Sequence, residues 1–351
     1  MIYRPSFYNS ANEEKNVALK GLIQDKHVKV IDRIAEQLMD LMLCRNAGLD
    51  RNQVQEQKLV DQFLNQQGSS LDKYGNWVYY PRKNEIVRVL PEKEFIEVRT
   101  NRNKYKITPQ EQDILGEKVI GIAGLSVGRA VATTVALERI AGEIRLADFD
   151  EIELSNLNRI KTPLSEMGIN KAVSTAREIA EMDPYINVKC YTDGLTEANM
   201  DSFFRGEIKL DLFVEECDDI GIKIKSRLKC KELNIPVIME TNDNCIIDIE
   251  RFDTEPNRPM FHGKLTNDDI GLAINAKSME EKMGILSKIL DASSISQEMF
   301  YTLSELRKTA RAWPQLASDV QYGAGVVANL ARKILLGKNI VSGQSTHKIE
   351  L

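Results

Sequence analysis

Four clusters of polar residues stand where short apolar runs of this chain give out. Gly124-Leu125-Ser126-Val127-Gly128 follows the apolar run Lys118–Ala123. Small residues there let backbone N–H groups approach a phosphate, and a helix N-terminus behind them adds positive potential. The same residues also make a tight strand–helix turn that needs no ligand. The loop is not a clean G-x-G-x-x-G, because Ser126 sits where a second Gly would be and the closing Gly arrives one place early. Asp148-Phe149-Asp150 comes next, at a distance from the loop where an acidic side chain can hydrogen-bond a ribose hydroxyl. After it, Leu154-Ser155-Asn156-Leu157-Asn158-Arg159 supplies polar side chains and a guanidinium whose planar fork matches phosphate oxygens. Hydride transfer from a nicotinamide needs no second phosphate clamp. Nucleotidyl transfer does, because charge moves onto pyrophosphate as the α-phosphate is attacked. Lys171, after Gly168-Ile169-Asn170, falls in the first turn of a helix, where the dipole disfavours a cation. It is either an exposed lysine or one with an anionic partner. Glu215-Glu216-Cys217-Asp218-Asp219 puts four carboxylates in five residues. That is an acidic surface turn or, through Asp218 or Asp219, a source of oxygen ligands for Mg²⁺, which usually takes one or two carboxylates plus substrate phosphates.

These clusters act together only if the elements bearing them converge. Lys118–Ala123, Glu143–Asp148, Asn187–Tyr191, Leu210–Glu215 and Pro236–Glu240 read as short apolar strands. Gly128–Ile140, Lys171–Met182, Thr196–Phe204 and Ile220–Leu233 read as the helices between them. The expectation is an α/β fold, a Rossmann-like, mostly parallel sheet with helices on both faces, whose ligands bind at the carboxyl ends of the strands. Further on, Ser278-Met279-Glu280-Glu281 is a capping-box candidate for a helix carrying Met283, Leu286 and Ile289, and a last helix is expected from about Gly325 to Leu336.

A small α+β N-terminal module is expected over residues 1–105, ahead of a nucleotide-binding domain over 106–351. Val28, Ile31, Ile34, Leu38, Leu41 and Met42 form a helical stripe across Val28–Leu43. Trp77–Tyr80 and Glu85–Leu90 read as two strands, the second a candidate edge for adding a peptide strand. The module is a candidate for substrate or peptide recognition or for a dimer contact. Thr108-Pro109-Gln110-Glu111 marks a helix start, and the basic stretch Arg99–Lys104 before it reads as a solvated linker.

Composition narrows the possibilities. Lys plus Arg number 47 and Asp plus Glu 52 in 351 residues, a net charge of -5. With no basic excess to offset phosphates, a nucleic-acid partner is not expected. No run approaches the ~20 apolar residues that span a bilayer. Met1–Pro5 opens no apolar stretch of signal-peptide length, so a cytoplasmic protein without membrane contact is expected. The five cysteines include no C-x-x-C pair, so structural zinc is not expected and a reducing compartment suits them.

With these residues in view, the sequence from about Lys106 to Leu351 resembles the ThiF/MoeB-like adenylyltransferases, relatives of the ubiquitin-activating enzymes. Asp148-Phe149-Asp150 with Ser155-Asn156-Leu157-Asn158-Arg159 looks like the family's D-x-D and S-N-L-x-R signature. Gly168 to Lys171 is similar to its G-x-x-K motif, and Asp218-Asp219 to its Asp after the fourth strand. The wording around Gly124–Gly128, Leu146–Asp150 and Glu250–Asp253 looks like a subfamily whose longer members carry a nitroreductase-like domain. The resemblance implies ATP and Mg²⁺, a homodimer, and adenylation of a carboxylate, often the C-terminus of a ubiquitin-like protein or peptide. It implies that Asp148 holds the ribose, that Arg159 and Lys171 hold the phosphates, and that Asp218 holds the metal. Gly124, Ser126, Gly128, Asp150, Ser155, Asn156, Asn158 and Asp219 would line the nucleotide site. Arg102 or Arg99 would be the arginine that reaches a neighbouring subunit. This chain departs from the pattern in its shortened glycine loop, in Ile160 and Lys223 where Gln and Arg are usual, and in lacking the zinc cysteines.

Two rivals remain at this level. One is an NAD-dependent oxidoreductase, which the glycine loop and Asp148 alone would permit, although neither His262 nor His347 follows an expected sheet strand. The other is a degenerate adenylation fold that only binds a partner. A thermal-shift measurement separates the first from adenylation: stabilisation by ATP with Mg²⁺ and none by NADH is expected. At a hundredfold excess over the dissociation constant the gain is about 2.7 kcal/mol.

Overall fold

A computed structural model of the chain describes residues 3–50, 56–276, 278–289 and 295–348. They form two compact units, Met1–Pro109 and Gln110–Leu351. No helix among the described residues is long and apolar enough to cross a membrane.

The first unit runs β1 (Ser6–Asn9), α1 (Val17–Gln24), β2 (Lys29–Asp32), α2 (Ile34–Arg45), α3 (Glu56–Gln66), β3 (Asn76–Tyr80), β4 (Glu85–Val89) and α4 (Glu92–Arg99). Its sheet has the order β1-β3-β4-β2, antiparallel except for the β4–β2 pair. Leu19, Val28, Trp77 and Ile86 form one buried cluster; Ile34, Leu38, Leu41, Phe63 and Leu90 belong to another. The helical stripe expected over Val28–Leu43 is therefore split. Lys29–Asp32 pairs with β4, and the Asp32 carboxylate accepts the Ile34 N–H at 3.2 Å where α2 begins. Apolar residues three apart suit a helix or a strand ending in a turn, and the backbone of β4 alongside selects the strand. The expected edge at 85–90 is overturned for a related reason: β4 is paired on both sides, and the edges are β1 and β2.

The second unit continues with α5 (Pro109–Gly116), β5 (Val119–Ala123), α6 (Gly128–Glu138), β6 (Glu143–Ala147), α7 (Lys171–Met182), β7 (Asn187–Tyr191), α8 (Met200–Phe204), β8 (Leu212–Glu215), α9 (Ile220–Leu233), β9 (Val237–Thr241) and β10 (Ile246–Glu250). Then come α10 (Asn267–Asn275), α11 (Met279–Ile289), α12 (Gln297–Glu305), α13 (Ala317–Leu335) and β11 (Gly343–Thr346). The seven strands order as β11-β10-β9-β8-β5-β6-β7, parallel from β9 to β7. This is the α/β, mostly parallel arrangement expected. From β5 the chain adds β6 on one side and later β8 on the other, so the order reverses between β5 and β8. Ligand crevices in such sheets open at that place, beyond the strand carboxyl ends.

Three features depart from the expectation. The antiparallel strands β10 and β11 were not foreseen; Asp248 and Glu250, both buried, interrupt the apolar pattern of β10. The helix expected from Thr196 starts at Met200, because Asn199 Oδ1 accepts the Thr196 N–H at 2.8 Å and holds a turn there. The last helix begins at Ala317, eight residues before Gly325. Its Gly323 marks a close approach instead of a start: a Cβ there would lie 2.5 Å from the Glu240 carboxyl carbon.

The sheet holds a charged knot at β8 and β10. Arg227 on α9 donates to Glu215 at 2.6 Å and to Glu250 at 2.7 Å, all three wholly buried, and Lys223 bonds both Glu215 oxygens at 3.0 Å. Removing one member strands the others in low dielectric, at a typical cost of 3–5 kcal/mol. Arg227→Ala is expected to lower the unfolding free energy by about that amount in urea titration. The quadruple change Lys223→Met, Arg227→Met, Glu215→Gln, Glu250→Gln is expected to recover part of it; a single variant as stable as the parent would show that the knot contributes nothing.

Candidate active site

At the end of β5 the chain turns with Gly124 at φ +88°. A Cβ on Gly124 would run into the Glu216 carbonyl oxygen, and one on Gly128 would lie 2.9 Å from Ile122 Cγ2. Gly124 is thus required by the press of this loop against the turn after β8, and Gly128 by the packing of the helix start on Ile122 of β5, with or without a ligand. Gly128 donates to the Gly124 carbonyl at 3.1 Å to close the turn.

The Asp148 carboxylate at the end of β6 fixes this loop from the side. Oδ2 accepts the Leu125 N–H at 2.6 Å and Oδ1 the Asp150 N–H at 2.8 Å. The side chain is buried; burial pushes its pKa up, with Lys171 nearby opposing the rise. Asn170 caps α7, its Oδ1 accepting from Ala172 and Val173, while its Nδ2 donates to the Asp148 carbonyl at 2.9 Å. Lys171 is 6 % exposed and donates to Asp150 at 2.8 Å. The anion that its unfavourable place in the helix calls for is already present in the chain.

Arg159 is placed differently. It is half-buried, and its Nε donates to Ser126 Oγ at 3.0 Å, which ties it to the glycine loop. Nη1 donates to the Ser155 carbonyl at 3.2 Å and to Asn158 Oδ1 at 2.9 Å. Burial lowers its pKa, and the field of Asp218 acts against that. No carboxylate lies in ion-pair contact with Arg159 among the described residues. Asn158 Nδ2 donates to the Gln315 carbonyl at 2.7 Å, and Ser126 Oγ to Gln315 Oε1 at 3.3 Å. Ser155 and Asn156 serve the local turn, the first donating to Glu153 and the second forming a capping box with it.

The acidic turn after β8 is not a uniform surface feature. Glu215 is buried; Lys223 and Arg227 hold its pKa below the usual carboxylate range despite burial. Glu216 is driven well above that range by burial, then by Glu240 and Glu215. Glu240 on β9 is pushed up to about 8 by burial, with Asp319 adding to it. Asp219 caps α9 by accepting the Ile222 N–H at 3.0 Å and pairs with Lys282 at 3.2 Å, so its carboxylate is committed to the chain. Asp218 is exposed, and its charge acts on Arg159. Lys223, one of the departures noted in the sequence, serves Glu215. Ile160, another, is core. Burial raises the Cys217 and Cys230 thiols well above their ordinary value and Cys245 to about 12. A thiolate nucleophile is disfavoured at all three.

Gly124, Ser126, Gly128, Asp148, Asp150, Ser155, Asn156, Asn158, Arg159, Lys171, Asp218 and Asp219 therefore all lie at the carboxyl ends of β5, β6 and β8 or on loops bonded to them. Arg102 is exposed on the turn Asn101–Asn103 of the first unit. Sequence reasoning missed Gln315, which no motif marks, and Glu240, whose only trace was a glycine within α13. A cavity of about 310 Å³ opens beside the loop; Ser126, Cys217 and Asp218 line it together with Met239, Ile246, Leu286, Met299 and Trp313.

Comparison with known proteins accords with this geometry. A model described as the ThiF family matches residues 100–343. The chain is 38% identical over 328 residues to an uncharacterized protein of Mycobacterium tuberculosis, covering 93% of this chain but 43% of that one. It is 22% identical to a tRNA threonylcarbamoyladenosine dehydratase of Bacillus subtilis, over 67% of this chain and 95% of that protein. It is 23% identical to a molybdopterin-synthase adenylyltransferase of Haemophilus influenzae, over 49% and 69%. Among solved structures, TcdA (CsdL) shares the fold with a TM-score of 0.50 and 16% identity, over 68% of this chain and 94% of that one. The class these matches define is that of ThiF-like proteins. The chain belongs to the ThiF family.

The buried acid Glu240 generates a pH prediction. The folded chain holds its proton up to about pH 8, whereas an ordinary Glu releases it near 4.5. Between those values the folded state binds more protons than the unfolded one, so stability falls as pH rises. The limiting slope is about 1.4 kcal/mol per pH unit. Glu240→Gln is expected to lose this component and gain on the parent between about pH 5 and about pH 8 in urea unfolding. Parallel pH profiles for the two proteins would mean that Glu240 ionises normally.

Proposed function

We propose that the domain over 106–351 binds ATP across the ends of β5, β6 and β8 and adenylates a carboxylate, such as the C-terminus of a ubiquitin-like protein or peptide. The observation that carries this is Arg159, a half-buried guanidinium tethered to Ser126 on the glycine loop and left without a carboxylate partner among the described residues. A cation so held favours an anion arriving from outside. Asp148, which latches the loop, would hold the ribose, and Ser126, Asn158 and Lys171 would border the phosphates. Asp218 suits one protein ligand of a Mg²⁺ that otherwise sits on phosphate oxygens; among the described residues no group of three or more His, Cys, Asp or Glu could hold a metal ion by itself. When bound, that ion would supply charge neutralisation at the leaving group.

The substrate carboxylate oxygen attacks the α-phosphorus. The bond from that phosphorus to the bridging oxygen breaks, and its electron pair leaves with pyrophosphate. No general base is needed, because the nucleophile is already an anion. The chain's contribution is positioning and electrostatics, with Arg159 aimed where charge develops. The first unit would present substrate through its β1 or β2 edge or join two copies as a homodimer, with Arg102 as a candidate residue for the neighbouring site. Free cysteines and dependence on ATP suit a cytoplasmic setting.

ATP–pyrophosphate exchange supported by candidate carboxylates tests the reading. Arg159→Ala and Asp218→Ala are expected to keep the parent's circular dichroism and melting profile while exchange falls on the order of 10²–10³-fold. Exchange at the parent's rate in Asp218→Ala would remove the metal role. Nucleotide binding with no exchange under any acid would favour a partner-binding scaffold.

A further inference from the structure

The cavity beside the glycine loop has walls that differ in kind from the loop. Its volume of about 310 Å³ falls at the lower end of the ~300–1,000 Å³ typical of small-ligand pockets. Ser126 and Asp218 belong to both the loop region and the cavity lining, so a group lying inside can place a polar end where the phosphates are expected. Much of the remaining wall is apolar, with Met239, Leu286, Met299 and Trp313. Methionine side chains fit irregular apolar guests. Lys223 is engaged with Glu215, and Asp243 with Ser296, whose N–H lies 2.7 Å from Oδ2. Glu216 Oε1 and both carboxyl oxygens of Glu240 also border the cavity, buried and without a hydrogen-bond partner among the described residues.

We propose that this cavity receives the acyl end of the substrate, and that the carboxylate to be activated is carried by a bulky apolar group, not by a terminal glycine. The inference rests on the adenylation reading and names its substrate class. A glycine end would leave the apolar wall without contacts. An aliphatic or aromatic end fills it, and the carboxylate then emerges at Ser126 and Asp218. A lysine end is the alternative that Glu216 and Glu240 would favour, and it is an arm of the test. The same chemistry is available from a free acid or from the last residue of a peptide.

Full-length protein is assayed with acetyl-Ala-Gly-Leu, acetyl-Ala-Gly-Gly, acetyl-Ala-Gly-Lys and isocaproic acid. Two readouts are taken, ATP–pyrophosphate exchange and tryptophan emission. Trp313 on the cavity wall is one of two tryptophans, the other being Trp77 in the first unit. The leucine peptide is expected to exceed the glycine and lysine peptides in kcat/KM by at least about tenfold, the scale set by apolar pocket contacts. It is also expected to shift emission in the parent but not in Trp313→Phe. Activity of isocaproic acid equal to that of the leucine peptide identifies a free acid as the source; activity of the peptide alone identifies a peptide end. Equal or better exchange with the glycine peptide overturns the cavity assignment and leaves adenylation standing. An emission shift with the leucine peptide but no exchange with any acid sinks adenylation and leaves the cavity assignment standing. Absence of both responses overturns both.

Discussion

One carboxylate organises the site. Asp148 spends an oxygen on each of two loops, holding the Leu125 N–H of the turn after β5 and the Asp150 N–H of its own strand end. Through the first bond it fixes Ser126, which in turn holds Arg159. Through the second it sets Asp150 at the place where Lys171 finds its counter-charge. The loop cannot retreat on its other side, because Gly124 already touches the turn after β8. The crevice at the reversal of strand order is thus held open by short polar contacts between loops.

Cations and anions around that crevice fall into two groups. Lys171, Lys223 and Arg227 each have an internal carboxylate, and their charges are largely neutralised before any ligand arrives. Arg159 and Asp218 carry charge that the described chain does not cancel by contact. A residue's type says only that it can carry charge; its partners decide whether that charge is available. Of the residues singled out by motif, these two retain the clearest capacity to meet a polyanion and its counter-ion.

Much of this was legible in the sequence. Apolar runs of five residues followed by Gly, Asp or Glu located β5, β6 and β8, and α7 and α9 begin and end where periodicity and capping residues placed them. What was not legible depends on contacts distant in sequence. Nothing in Val28-Lys29-Val30-Ile31 discloses that β4 will lie beside it. Nothing in Asp248 or Glu250 discloses that His262 will lie 3.0 Å from the first and that Arg227 will pair with the second within a strand. Gln315 reaches Asn158 across more than a hundred and fifty residues and carries no local signature. The acidic run after β8 looked uniform because composition does not separate a carboxylate facing Lys223 from one facing water.

The knot of Arg227, Glu215 and Glu250 has an evolutionary corollary. Arg227 and Lys223 of α9 meet Glu215 of β8 and Glu250 of β10, so no single codon change can exchange one neutral arrangement for another. Any one replacement passes through an intermediate with a stranded ion. Descendants of this chain should therefore keep the trio intact or have replaced it wholesale, and hybrids between the two kinds should be scarce.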